Sequence, residues 1–404
     1  MKGRNMTSRY PFGVCVCAAT LACSLAMNIS HSATAEEQAS SRVVVTSSAQ
    51  PLGSLDPSLA NEVRAAINRA ADWLAARQQP CGAWSDTNFP ALTGLALQAI
   101  LGSEHPARNE MAEKAAAFIV SCVQPDGGIY TRIPGRKGGG LSNYNTAICM
   151  MALHATRNPA YTRIIQNART FVAGAQYLGD DDYRGGFGYD RESQRAYTDL
   201  LNTYYAVEAM SKTADVEDKR PDGEKRADID WNETVKFIER MQNKPSSGPD
   251  NAGGFFYNPT DPKAGASTNR EGVVVFRSYG SITYSGLLAL IHAKVDRDDV
   301  RVRSAFDWAC KHWSLEENPG MGEQGLYFFY NVLSKCLAAY GVDAIPVGGN
   351  RLVNWKEELA KVLVRCQKID DKTGHGYWMN DNDRYWEGNA VLVTSYSMIA
   401  LEHL

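Results

Sequence analysis

The 404-residue sequence contains no Cys-x-x-Cys pair and no strong excess of either charge. The first absence argues against a zinc ribbon, whose thiolates come in such pairs. The second, a formal net charge of −3, argues against nucleic acid as the main partner, because that role demands a basic face. Beyond the first thirty residues no apolar run is long enough to span a bilayer.

What is present begins with an export pattern. Lys2, Arg4 and Arg9 form a basic start, an apolar stretch runs from Phe12 to Ile29, and Ala33-Thr34-Ala35 precede Glu36. That order reads as a secretory signal over residues 1–35. Ser24, Asn28 and Ser30 weaken the alternative of a membrane anchor. Cys23 suggests lipoprotein processing, but Thr20 stands where an aliphatic residue is expected. Residues 36–58 are rich in Ser and Ala and read as a flexible leader, leaving 59–404 as the folded domain. Cleavage removes three positive charges and no acid, which takes the net charge to −6. Six cysteines remain: Cys81, Cys122, Cys149, Cys310, Cys336 and Cys366. An even number in an exported chain permits disulfides; buried free thiols on helices are the alternative.

A repeat organises the rest. Its unit is an apolar helix led by an aromatic residue, a Gln, a Gly turn and a second aromatic residue. The fullest copy runs from Trp73-Leu74 through Gln78 and Gly82 to Trp84. Later copies are led by Phe118, Phe171, Phe237, Trp308 and Val362, with Gln176, Gln242 and Gln367 in place and Val123 and Trp313 substituting in two. After each turn comes a more continuously apolar segment, near 89–102, 142–156, 196–211, 279–293, 325–340 and 388–403. A helix apolar all round is buried. The second helices therefore form an inner ring and the amphipathic first helices an outer one, an all-α (α/α)6 toroid of six helical hairpins. Each Gln and aromatic pair is expected to staple an outer helix to its own inner partner. His154, His292 and His403 end inner helices, where they would complement the helix dipole.

The unit resembles the QW motif of squalene and oxidosqualene cyclases, and the layout is similar to the protein prenyltransferase β subunit and the complement thioester domain. The resemblance covers about residues 60–404. It does not carry the relatives' chemistry across. Asp180-Asp181-Asp182 and Asp228-Ile229-Asp230 do not complete the Asp-x-Asp-Asp run of squalene–hopene cyclases and read as loop acids and helix N-terminal charge. Gly374-His375-Gly376-Tyr377-Trp378 lacks the prenyltransferase Asp-x-Cys pair, so neither a metal nor any other cofactor is called for. Gly320-Met321-Gly322-Glu323-Gln324 has Met where the thioester needs Cys, and reads as a turn.

In related toroids the cavity opens where outer helices pass to inner ones, and here those loops are long, Gly-rich and aromatic. Candidate anion ligands are Arg132, Arg136 and Lys137 beside a Gly-rich helix start. Tyr144, Asn145 and Asn202 lie near inner-helix starts, with Asp199 as a candidate acid facing the lumen. Tyr130, Tyr144, Tyr189, Tyr197, Tyr257, Tyr279, Tyr284, Tyr327, Tyr330 and Trp378 cluster at this end, as cation-stabilising or stacking walls or as ordinary packing. His375, with Asp381, Asp383 and Glu387, crowds the sixth loop as a candidate acid–base or metal group. Three readings stay open: an exported binding or scaffold protein for an apolar small molecule, peptide or glycan; an enzyme acting on an isoprenoid, by cyclisation or transfer; and a carbohydrate hydrolase or lyase, which needs two facing carboxylates.

Overall fold

Residues 55–134, 140–191, 197–348 and 351–404 are described in the computed structural model. Asp56 starts the fold by accepting hydrogen bonds from the amides of Ser58 and Leu59, with Pro57 at the first helical position. The outer helices are α1 (Pro57–Ala75), α3 (Arg108–Ser121), α5 (Thr162–Ala173), α7 (Trp231–Arg240), α9 (Val300–Lys311) and α11 (Trp355–Cys366). The inner helices are α2 (Pro90–Gly102), α4 (Ser142–Ala155), α6 (Leu200–Lys212), α8 (Gly280–His292), α10 (Leu326–Tyr340) and α12 (Ala390–Glu402). Each inner helix packs on the next, and α12 returns to α2, while α1 packs on α11. This is the six-hairpin toroid that the apolar pattern implies. Eleven of the thirteen residues of α8 are buried, against three of ten in α7, as inner and outer positions require.

Three short antiparallel ribbons decorate the connections: β1 (Ala266–Thr268) with β2 (Val274–Phe276), β3 (Ala344–Val347) with β4 (Arg351–Asn354), and β5 (Lys368–Ile369) with β6 (Gly376–Tyr377). Trp84, Trp355, Trp378, Phe171, Phe187, Phe237 and Phe255 fill the space between the two rings. Each such side chain stabilises by roughly 1.5–3 kcal/mol on burial.

The repeated Gln works differently from the expectation. Its amide reaches the next outer helix, not its own inner partner. Gln78 Nε2 donates to Gly82 O at 3.0 Å and to Met111 O of α3 at 2.9 Å. Gln242 Nε2 donates to Gly253 O at 2.9 Å and to Arg301 O of α9 at 2.8 Å. Gln367 closes the circle on α1, donating to Ala66 O at 2.8 Å and accepting from Arg69 Nε at 2.9 Å. The turn glycine makes room for this docking. Gly82 and Gly253 have φ of +90° and +91°, and a Cβ there would lie 2.1 and 2.3 Å from carbonyl oxygens of the next outer helix.

The inner partner is held by a threonine. The amides of Trp84, Ile129, Phe187, Phe255 and Trp378 donate to Thr93, Thr146, Thr203, Thr283 and Thr394 at 2.8–3.0 Å. The Trp84 and Trp378 indoles cap the ends of their own outer helices, each donating at 2.8 Å, to Leu74 O and Leu363 O. All six described cysteines are free, and four of them are buried.

Candidate functional site

The N-terminal halves of the inner helices do not meet. They leave a cavity of about 470 Å³ to which every inner helix contributes: Leu92 and Leu95, Tyr144, Leu201 and Tyr205, Ser281 and Ile282, Phe328, and Leu392 with Tyr396. The connecting loops add Phe89, Tyr189, Tyr197, Tyr257, Tyr279, Met321, Gln324, Tyr385 and Trp386. The cavity thus lies at the end where outer helices pass to inner ones.

Its aromatic residues touch one another around the wall. Tyr144 meets Tyr205 edge-on at 5.2 Å, Tyr205 lies 6.3 Å from Phe328, and Phe328 lies 5.8 Å from Tyr396. Burial pushes the phenols of Tyr144, Tyr205, Tyr257, Tyr279 and Tyr396 above the usual range, so they stay neutral at physiological pH. Lys263 is the one charged residue among the described lining. Its amine is already 2.6 Å from Asp261 and lies over the Tyr257 ring at 4.8 Å. At the mouth, Tyr385 and Trp386 stand half exposed, with φ of 60° and 67°. Consecutive left-handed bulky residues cost energy that the surroundings must supply. Trp386 meets Phe89 edge-on at 4.7 Å. Glu387 anchors the turn, accepting from the Phe328 amide and from Asn380 Nδ2, both at 2.7 Å.

Asp199 does not line this cavity. It is fully buried as the N-cap of α6, accepting from the Asn202 amide at 2.8 Å and from Asn202 Nδ2 at 2.7 Å. Burial raises its pKa to about 6, against the hydrogen bonds from Asn202 and Tyr257. Tyr257 and Tyr189 line the cavity, and Asp199, outside the lining, is hydrogen-bonded by the Tyr257 side chain. The lumen-facing acid is therefore corrected to a buried cap, because an Asp before a helix satisfies the amides that open it.

The other candidates divide sharply. Tyr144 lines the cavity. Asn145 is structural: its Oδ1 accepts from Ala91 N at 3.0 Å and its Nδ2 donates to Gly140 O at 2.9 Å. Asn202 serves Asp199. Tyr284 packs edge-on against Phe329, the Tyr330 hydroxyl donates to Leu315 O at 2.6 Å, and Trp378 caps α11. Arg132 is exposed beside the Tyr130 ring, away from the lining. Arg136 and Lys137 lie outside the described residues. His375 sits in the turn between β5 and β6, away from the cavity lining. The acids around it are occupied elsewhere: Asp381 meets Lys368 at 2.7 Å, and Glu387 holds α10. Of the ten clustered aromatic residues, Tyr144, Tyr189, Tyr197, Tyr257 and Tyr279 line the cavity and the other five pack. Sequence reasoning missed Tyr205, Phe328, Tyr385, Trp386 and Tyr396. Met321 and Gln324, in the segment read as a turn, also line the cavity.

No family model and no curated protein matches the chain. Nineteen solved chains do. A variant of the type II terpene cyclase MstE from Scytonema, in complex with its product merosterolic acid A, is similar over 86% of this chain and 98% of its own, with TM-score 0.51 and 12% identity. The chain shares its α/α toroid fold. A family 76 glycoside hydrolase from a bovine Bacteroides thetaiotaomicron strain matches over 84% and 77%, with TM-score 0.50 and 12% identity. The protein geranylgeranyltransferase-I of Candida albicans, complexed with GGPP, matches over 85% and 90%, with TM-score 0.49 and 13% identity. Identities this low speak for the toroid and not for its chemistry.

Proposed function

We propose that this toroid is an exported protein that binds an apolar small molecule in its aromatic cavity. The observation that carries this reading is the lining itself: eight tyrosines, two other aromatic types and aliphatic side chains, with a single, already paired cation. A volume of about 470 Å³ falls within the roughly 300–1,000 Å³ typical of small-molecule sites. The similarity in fold to a terpene cyclase holding its product supports an isoprenoid-like ligand. The glycoside-hydrolase reading is weaker, because no carboxylate lines the cavity among the described residues and that chemistry needs two. Among the described residues no helix is long and apolar enough to cross a membrane. Export rests on the first 35 residues, and sequencing the mature N-terminus should find Glu36 first.

The ligand is tested by native mass spectrometry of protein purified from its exporting host, followed by solvent extraction. A co-purifying apolar compound at near one-to-one ratio is expected. Protein that emerges empty and fails to take up farnesol or decan-1-ol would defeat the reading.

A further inference from the structure

Residues 320–324, which the sequence offers as a turn, bring an unused amide to the cavity wall. Their backbone is pinned from several sides. Asn318 N donates to Gly322 O at 2.9 Å, Met321 N to Asn318 O at 2.8 Å, and Asn380 Nδ2 to Glu323 O at 2.8 Å. Asn318 Nδ2 donates to the Gln324 carbonyl at 2.9 Å and to the Ser281 hydroxyl at 3.1 Å, so one amide nitrogen sets two lining residues side by side. The Gln324 side chain, half-buried in the lining, makes no hydrogen bond among the described residues. It differs in this from Gln242 and Gln367, whose amides dock on the next outer helix. The floor is different again. Leu95, Tyr205 and Tyr396 are the sixth, sixth and seventh residues of α2, α6 and α12, at least one turn deeper than Ser281, the second of α8. Side-chain hydrogen bonds join Tyr144 to Tyr205 and Tyr396, so the floor presents rings and methyl groups.

We infer that Gln324, with Ser281 beside it, is the head-group subsite of the cavity: it receives one uncharged hydroxyl or carbonyl of an otherwise apolar ligand, whose chain runs down to the floor. This rests on the binding function proposed above and adds the ligand's polar end and its orientation. A carboxamide both donates and accepts, and the serine hydroxyl still has its own proton to donate, so the pair suits either group. An anion would find no free counter-charge. Glu387 already accepts from the Phe328 amide at the start of α10, and Lys263 is paired with Asp261 at 2.6 Å. The orientation follows from where hydrogen bonds are to be had. A polar end on the floor would lose its water and meet only hydroxyls bonded to one another, whereas nearer the mouth it meets Gln324.

The test compares decan-1-ol, decane and decanoate by displacement of an environment-sensitive dye from the purified full-length protein, with wild type and the Gln324→Leu variant. Wild type should prefer decan-1-ol to decane and to decanoate. Gln324→Leu should weaken decan-1-ol about tenfold, leave decane equal or tighter, and leave the thermal midpoint unchanged, because no side-chain hydrogen bond within the protein is lost. Gln324→Met serves as a second variant with the same expected pattern. Orientation is read from chain length. Leu95→Phe, which narrows the floor, should weaken dodecan-1-ol more than octan-1-ol, whereas Gln324→Leu should weaken both by the same factor. If decan-1-ol and decane bind wild type equally, or change together in Gln324→Leu, the polar subsite is wrong while the apolar cavity stands. Equal losses of the two alkanols in Leu95→Phe overturn the orientation. Tighter binding of decanoate than of decan-1-ol overturns the uncharged head group. If none of the ligands binds wild type, the binding function itself fails, and this inference with it.

Discussion

The same six inner helices are built in two unlike halves. Their N-terminal halves stay apart around neutral tyrosines, whereas their C-terminal halves are closed by buried charge. There Lys335 of α10 lies 2.6 Å from Glu208 of α6 and donates to the Tyr204 hydroxyl at 2.7 Å, and Lys212 approaches Glu208 at 2.8 Å from the rim. Burial brings Lys335 down to about 8, with Glu208 pulling the other way. His292 and His403, expected to complement helix dipoles, are held by burial at about 4 and 3 and are neutral at physiological pH. Only His154 keeps a charged partner, Asp215 at 2.7 Å. Desolvation outweighs a dipole interaction of roughly 0.3–1 kcal/mol. The difference shows how one ring can hold both an open end and a closed end. Charge pairing fixes the closed end in one arrangement, and that rigid base leaves the other end free to remain hollow.

The largest effect should come from breaking the closed end. Burial alone would raise the Glu208 carboxyl, but Lys212 and Lys335 outweigh it and hold it well below the usual range. Glu208→Gln leaves Lys335 buried without its counter-charge and should cost about 3–5 kcal/mol in urea unfolding. Adding Lys335→Met should recover much of that loss. A single-variant loss below about 1 kcal/mol would mean that the pair does not hold the base. Because the folded pKa is depressed, the stabilisation is present above the unfolded value of about 4.5 and disappears as pH falls through the folded value.

At the open end the pH dependence has the opposite sign. Asp199 is raised from 3.8 to about 6, so its contribution is full below 3.8 and is lost as pH rises through 6. The share of stability contributed by Asp199 should fall by up to about 3 kcal/mol across that window. In Asp199→Asn this part of the slope should vanish while the N-cap acceptor for the Asn202 amide survives. Because His292 and His403, buried and neutral, give a slope of the opposite sign over the same range, the readout is the difference between wild type and Asp199→Asn, and a difference that stays flat between pH 4 and 7 would show that Asp199 is not buried as a carboxyl. Together the two titrations separate the halves, because acid weakens the closed end and base weakens the cap beside the open one.

Much of the fold was legible in the sequence. The segment 142–156 became α4 at Ser142–Ala155, and 325–340 became α10 at Leu326–Tyr340, because an all-apolar run can only be buried. The segment 196–211 began late, at Leu200, because Asp199 caps the helix and cannot also lie within it. The threonines at 93, 146, 203, 283 and 394 were missed, although each is the fourth or fifth residue of its inner helix and so repeats visibly. The site was far less legible. Tyr330 and Phe328 are two residues apart in α10, yet only Phe328 reaches the cavity. Composition placed the aromatics at the correct end. The helical phase that turns one inward and its neighbour into the wall depends on how the six inner helices pack, and a 100° step per residue is not fixed by residue type.

The boundary between the halves falls between two adjacent residues, Tyr204 and Tyr205, and the same substitution should separate them. The Tyr204 hydroxyl accepts a charged hydrogen bond from Lys335. Tyr204→Phe removes that acceptor and should destabilise by roughly 1.5–3 kcal/mol in thermal or urea unfolding. The Tyr205 hydroxyl has only the neutral phenols of Tyr144 and Tyr396 beside it, so Tyr205→Phe should cost less, at most about 1 kcal/mol. The two rings lie 4.8 Å apart, centre to centre, on successive residues of one helix, which controls for helix propensity, burial and lost volume. Equal losses in the two variants would mean that the tyrosines of the cavity wall and the ion-paired base are one network. Unequal losses, in the stated order, would place the change from hollow to filled between these two side chains.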